Sequence, residues 1–158
     1  MFYAIISFLG LIIGTILSRE FKNELKDIKG FIKIISFIAT ISLLLALISL
    51  AKINLVLLIG LFTGLMTGYI IKNNYLYYGS LLTLLNLNNN IKMFFSMLIF
   101  ILGLGYPALN NINKKRMFIN LILFALPFTL VLVNFNHSEF IIGFCMGGLA
   151  FGIRQFNK

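Results

Sequence analysis

The sequence predicts an all-α, polytopic integral membrane helix bundle of seven transmembrane spans. The fourth span is short, the N-terminus lies outside and the C-terminus is cytoplasmic. Three observations predict it. The 158 residues are 60% hydrophobic and only 11% charged, where a soluble domain is roughly 45–50% apolar and about 25% charged. Mean hydropathy is +1.02, and apolar runs of span length recur along the chain. The 13 Lys and Arg gather between those runs, as the positive-inside rule requires of cytoplasmic loops. This composition argues against a soluble domain, a disordered chain and a disulfide scaffold. The single cysteine, Cys145, has no partner in the chain and reads as a small buried hydrophobe.

The expected spans cover residues 2–17, 31–51, 55–71, 75–87, 93–109, 117–133 and 140–153, in one membrane-embedded domain (1–158). A crossing helix needs about 17–25 apolar residues. The first run reads as a span rather than a secretory signal, because no Lys or Arg precedes it and no small-residue cleavage site follows. The connection Ser18–Gly30 carries an apolar stripe (Phe21, Leu25, Ile28, Ile32), a basic stripe (Arg19, Lys22, Lys26, Lys29, Lys33) and an acidic stripe (Glu20, Glu24, Asp27). Spacings of three and four set each stripe on one helical face. Arg19, Lys22, Lys26 and Lys29 are the candidate contacts to lipid headgroups. The plainer reading is a helical extension whose solvated charges set orientation.

The third run holds Gly60, Gly64 and Gly68, and the last holds Gly143 and Gly147. Helices in lipid associate by close packing, and glycines four apart form a groove for a second backbone. These five are the candidate helix-packing faces, serving either packing within the chain or contact with a partner. Of 13 glycines, 11 lie in the odd-numbered spans, and the phrase G-L-x-x-G recurs among them. This suggests a weak internal repeat of helical hairpins.

The fourth run is decided by charge. If it crosses, 11 Lys and Arg lie inside and two outside; if it does not, the split is seven to six. Crossing is therefore expected. Ser80, Thr83, Asn86 and Asn90 would form one polar stripe on it, either hydrogen-bonding glue between helices or a path for a small neutral or anionic solute. Tyr69, Tyr75, Tyr77, Tyr78 and Tyr106 fall toward the cytoplasmic end and Tyr3 toward the outer one, as an aromatic belt would. Pro107 and Pro127 interrupt spans five and six, where each removes a backbone donor.

No expected span contains an acid or a histidine. Ion-coupled carriers usually hold such a group at mid-membrane, and metal or hydrolytic chemistry needs several convergent ligands or acids. His137 and Glu139 are too few for a metal, and Asn136–Ser138 matches a glycosylation acceptor in a very short loop. No catalytic residue, metal, cofactor or nucleic-acid site is expected. The expected partners are the lipid bilayer and a second copy or another membrane protein, in a cell (plasma) membrane. The function expected is a non-enzymatic membrane subunit or accessory protein acting through glycine-mediated packing. The alternative is a small uncoupled transporter or channel using the polar fourth span and the kinked spans five and six.

Overall fold

The computed structural model describes residues 2–71, 73–84, 88–110, 114–129 and 137–153. The ends of spans four (85–87) and six (130–133) lie outside the described residues. So do Lys72, Asn86, Asn136, Arg154 and Lys158, and the side chains of Arg19, Lys22 and Lys26.

The described chain is all-α. It comprises α1 (Phe2–Glu20), the six-residue α2 (Lys22–Asp27), α3 (Lys29–Leu50), α4 (Leu55–Ile71), α5 (Tyr75–Leu82), α6 (Asn89–Asn110), α7 (Lys114–Ala125) and α8 (Ser138–Ile153). Among the described residues two helices are long and apolar enough to cross a bilayer, Lys29–Leu50 and Asn89–Pro107; the apolar stretches Phe2–Ser18 of α1, Leu55–Ile71 and Ser138–Ile153 are shorter. Several helices start earlier than the apolar runs imply. Backbone hydrogen bonding continues past the last apolar residue, and α3, α6 and α7 each begin with polar or cationic residues. Gly30 therefore belongs to α3, not to a loop. Asn54 caps α4, its Oδ1 accepting from the Leu57 amide at 2.8 Å, which satisfies one of the orphan donors of a helix start.

Two parallel helix pairs form the frame. In α4 and α8 the glycines interlock reciprocally. A side chain on Gly60 or Gly64 would strike the Phe140 or Phe144 carbonyl of α8; one on Gly143 or Gly147 would strike the Leu57 or Leu61 carbonyl of α4. The contacts advance together along both helices, so the pair is parallel and locally two-fold. At such separations glycine Cα–H groups meet the facing carbonyl oxygens, a weak interaction that recurs at close helix crossings. In α1 and α6, Gly10 faces Phe100 and Gly14 faces Gly103 and Leu104. Here the serines help. Ser7 Oγ donates to Ser96 Oγ at 3.2 Å, and Ser96 Oγ donates to the Tyr3 carbonyl at 2.9 Å. The concentration of glycine in alternate helices follows from this pairing of parallel helices.

The lateral surface is apolar and the interior partly polar. Helix α3 exposes Ile34, Ile38, Leu45 and Ile48 while burying Ser36 and Thr40; α4 exposes Leu58, Phe62 and Met66 while burying its three glycines. Pro107 is accommodated inside α6, whereas α7 ends at Ala125 and a turn takes in Leu126 and Pro127.

Candidate functional site: a buried half-helix and its polar neighbours

Helix α5 differs from all the others. Every residue from Tyr75 to Leu81 is buried, and its eight residues reach only about 12 Å. Asn73 Oδ1 accepts from the Tyr75 amide at 3.0 Å, making the tight entry that starts the helix. At the far end the chain turns at Thr83. Neighbours fix its direction. Asn74 lies against Gly152 and Tyr77 against Gly148, so α5 runs antiparallel to α8; Asn73 pairs with Asn120 and Gly79 meets Phe124, so it runs parallel to α7. The amino end of α5 therefore lies where α6 and α8 finish, beside Tyr106 and Gly152. Asn90, at the start of α6, lies beside Ala46, Ser49 and Leu50 near the end of α3. Residues 75–81 thus run through the interior of the bundle.

Glycines on a second face of α8 make this possible. Any side chain at Gly148 would occupy the Tyr77 ring, and the Cβ of a residue at Gly152 would lie 2.8 Å from Asn74 Nδ2. Helix α8 thus uses Gly143 and Gly147 against α4 and Gly148 and Gly152 against α5. The Tyr77 hydroxyl lies 3.0 Å from Thr67 Oγ1, and the Cys145 thiol donates to the Tyr77 carbonyl at 3.4 Å.

Around the amino end of α5 the contacts close into a ring of polar side chains. The Tyr78 hydroxyl faces Asn74 and Thr40. Thr40 Oγ1 donates to the Ser36 carbonyl at 2.8 Å. Ser36 lies against Gly105, the neighbour of Tyr106. The Tyr106 ring meets Tyr75 edge-on at 5.2 Å, and Tyr75 meets Tyr78 at 5.7 Å. Three buried side-chain atoms in this ring, Ser36 Oγ, Asn74 Nδ2 and Tyr75 Oη, have no hydrogen-bond partner. Their residues are 2%, 2% and 1% exposed. An unsatisfied buried donor costs about 1–3 kcal/mol.

The residues singled out from sequence lie in several places. Ser80 and Thr83 are buried in and just after α5, but their hydroxyls donate to the Leu76 and Ser80 carbonyls at 2.8 and 2.7 Å. Asn90 sits in α6 and lines a cavity of about 240 Å³. The helix ends before the expected stripe does, and Asn86 is not described. Gly60, Gly64, Gly68, Gly143 and Gly147 come together between α4 and α8. Lys29 is exposed at the start of α3. The aromatic-belt reading is corrected for Tyr75, Tyr77 and Tyr78: they are core residues at 0–1% exposure, while Tyr69 is 68% exposed. Sequence reading missed Ser36, Thr40, Asn74 and Asn120. The available signal was a polar side chain inside or bordering an apolar run. Asn120 Oδ1 accepts from Asn73 Nδ2 at 2.7 Å.

Among the described residues no three His, Cys, Asp or Glu side chains are grouped to hold a metal. Three of the chain's four acids, Glu20, Glu24 and Asp27, are exposed. The fourth, Glu139, opens α8 at the opposite end from Gly152. Its carboxyl is held below the ordinary range by its own backbone amide and by the Ser138 hydroxyl. Comparison with family models, with curated proteins and with solved structures finds no match.

Proposed function

We propose that the chain is a seven-span membrane protein of the small uncoupled transporter class, which takes a small polar solute at the amino end of α5. The observation that carries this reading is a buried half-helix, α5, at whose start Asn74 Nδ2 and Tyr75 Oη have no hydrogen-bond partner, as Ser36 Oγ of α3 has none. Interrupted helices of this kind place backbone ends and polar side chains at the centre of transporter bundles. Apolar side chains on the outside with serine, threonine and glycine inside support a lipid surround. The 11-to-2 charge split supports an outer N-terminus and an inner C-terminus. The interior course of α5 supports a crossing fourth span.

The accessory-subunit reading is less well supported, because the glycine faces that would have met a partner are occupied by the chain's own helices. A subunit role would fall to the apolar outer faces of α3 and α4.

One labelling experiment tests both topology and site. Single cysteines replace Lys52, Lys115 and Ser36, one at a time, in a Cys145→Ala background and in membranes of known orientation. The thiols introduced at positions 52 and 115 should react from opposite faces, and the thiol at position 36 should react slowly with a small hydrophilic reagent. Labelling of positions 52 and 115 from the same face overturns the topology. Complete protection of position 36 beside reactive controls overturns the solute site.

A further inference from the structure

The chain reverses between α1 and α3 through the short helix α2. Helix α1 runs parallel to α6, with Gly10 facing Phe100 and Gly14 facing Gly103; α3 runs antiparallel to α6, with Ser36 against Gly105 and Leu50 beside Asn90. Both α1 and α3 pack on α6, so residues 21–28 carry the chain across one end of the bundle. Helical hydrogen bonding persists through the turn, from the Leu25 amide to the Phe21 carbonyl at 2.9 Å and from the Ile32 amide to the Ile28 carbonyl at 3.0 Å. The reversal is made at two joints, where Phe21 and Ile28 leave helical geometry with ψ of 35° and 5°. Between them α2 is about 9 Å long, close to one helix–helix spacing of about 8–10 Å. We propose that this corner, residues 19–33, lies in the plane of the inner leaflet and holds anionic phospholipid there. The proposal rests on the membrane reading above.

Water would cover this corner badly. Phe21, Ile28 and Phe31 are 47%, 49% and 67% exposed, so large apolar side chains stand at both joints and just beyond the second. An in-plane amphipathic segment sinks such side chains into the boundary between headgroups and acyl chains. Charge selects the lipid. Residues 19–33 hold five cations and three carboxylates, yet every charged pair three or four apart in that stretch is of like sign: Lys22 with Lys26, Lys26 with Lys29, Glu20 with Glu24, Glu24 with Asp27. Neighbours at those spacings meet on a helix, and like charges there repel. The cations are therefore not neutralised along their own helix, and Lys29 is exposed. Exposed Lys115 and Arg116, at the start of α7, stand at the same end of the bundle. In the topology above, that end carries 11 Lys and Arg against Glu20, Glu24 and Asp27, and the other carries Lys52, Lys92 and Glu139. Clustered cations beside a membrane helix draw anionic headgroups, an attraction that salt screens.

The chain has no tryptophan, so a single introduced one reports its own surroundings. Phe21→Trp, Ile28→Trp and, on the exposed face of α4, Phe62→Trp are each reconstituted as the whole protein into vesicles. In phosphatidylcholine with brominated acyl chains all three should be strongly quenched relative to the unbrominated lipid. Vesicles of equal parts phosphatidylcholine and phosphatidylglycerol are then made twice, with bromine on one lipid or on the other. At positions 21 and 28 quenching should favour phosphatidylglycerol by about fivefold, the worth of roughly one cation near an anionic surface; at position 62 it should favour neither. Lys26→Gln together with Lys29→Gln should bring the corner preference close to parity. Quenching at position 62 without quenching at 21 or 28 puts the corner in water, overturns the proposal and leaves the membrane reading standing. Equal quenching of the corner by both lipids, or the same preference at position 62, overturns the anionic contact. A corner preference unchanged by the two lysine substitutions places the anionic lipid elsewhere and also overturns it. No quenching at position 62 overturns the membrane reading and the proposal with it.

Discussion

Replacing Gly64 by alanine tests the helix pair that frames the bundle. The added Cβ would sit 2.8 Å from the Phe144 carbonyl carbon and 3.0 Å from its Cα. Carbon atoms settle at about 3.5–4.0 Å. Relief by rotating a side chain is unavailable, because the obstructing atoms are backbone within a helix. The two helices must instead part by about 0.5–1 Å, and a gap of that size forfeits a quarter to a half of each affected dispersion contact. Overpacking of this kind costs about 1–3 kcal/mol, or a fall of roughly 2–12 °C in melting temperature for a chain of this size. Gly30→Ala is the matched control. Nothing lies within 4 Å of its added Cβ, and it sits in the first turn of α3, so it should leave stability unchanged or raise it by up to about 1 kcal/mol. Both variants are melted in detergent, with reaction of buried Cys145 with a fluorogenic maleimide as the reporter. If Gly64→Ala melts with Gly30→Ala, the α4–α8 interface is not close-packed and the fold is wrong at its centre.

Three further outcomes follow from particular contacts. A double-mutant cycle on Ser7→Ala and Ser96→Ala should return a coupling of about 0.6 kcal/mol, the usual worth of a polar contact between helices in a membrane; zero coupling would mean that α1 and α6 do not meet there. Tyr77→Phe removes the 3.0 Å contact with Thr67 and should cost only about 0.5–1.5 kcal/mol, while Gly148→Leu, which displaces the whole ring, should prevent folding; equal effects would remove Tyr77 from the α8 groove. Glu139 has a folded pKa below its unfolded one, so its contribution is present above the ordinary carboxylate range and lost as pH falls through the lower native value. Melting curves of Glu139→Gln and the parent should therefore separate above the ordinary carboxylate range and converge as the pH falls below it, and a constant gap would refute the assignment.

Much of the scaffold was legible in the residues. Segment 55–71 coincides with α4 to the residue, because the polar cap at Asn54 and the cationic end at Lys72 bracket one unbroken apolar run. The glycines of α4 and α8 announced close packing, since glycines four apart leave a groove that a second backbone can enter. The shortness of the fourth run was legible too: thirteen residues between asparagines leave room for little more than the eight-residue α5.

Other features could not be read from one dimension. Periodicity says that Gly60, Gly64 and Gly68 share a face, but not what fills it; only the fold seats α8 there, in parallel and in reciprocal register. The tyrosines of α5 have the composition of an interfacial belt, and whether such rings meet headgroups or a core depends on what surrounds the helix on every side. Ser36 and Thr40 looked ordinary in a long apolar run, because one hydroxyl in a helix can bond its own backbone. They acquire meaning only when α3, α5 and α6 pack together and bury them, leaving Ser36 Oγ without a hydrogen-bond partner. The sequence by itself determined the helical class and the place of each apolar segment, since these follow from local composition. The tertiary structure decided which faces are shared and which buried polar atoms are left without a hydrogen-bond partner, since both depend on residues far apart in the chain.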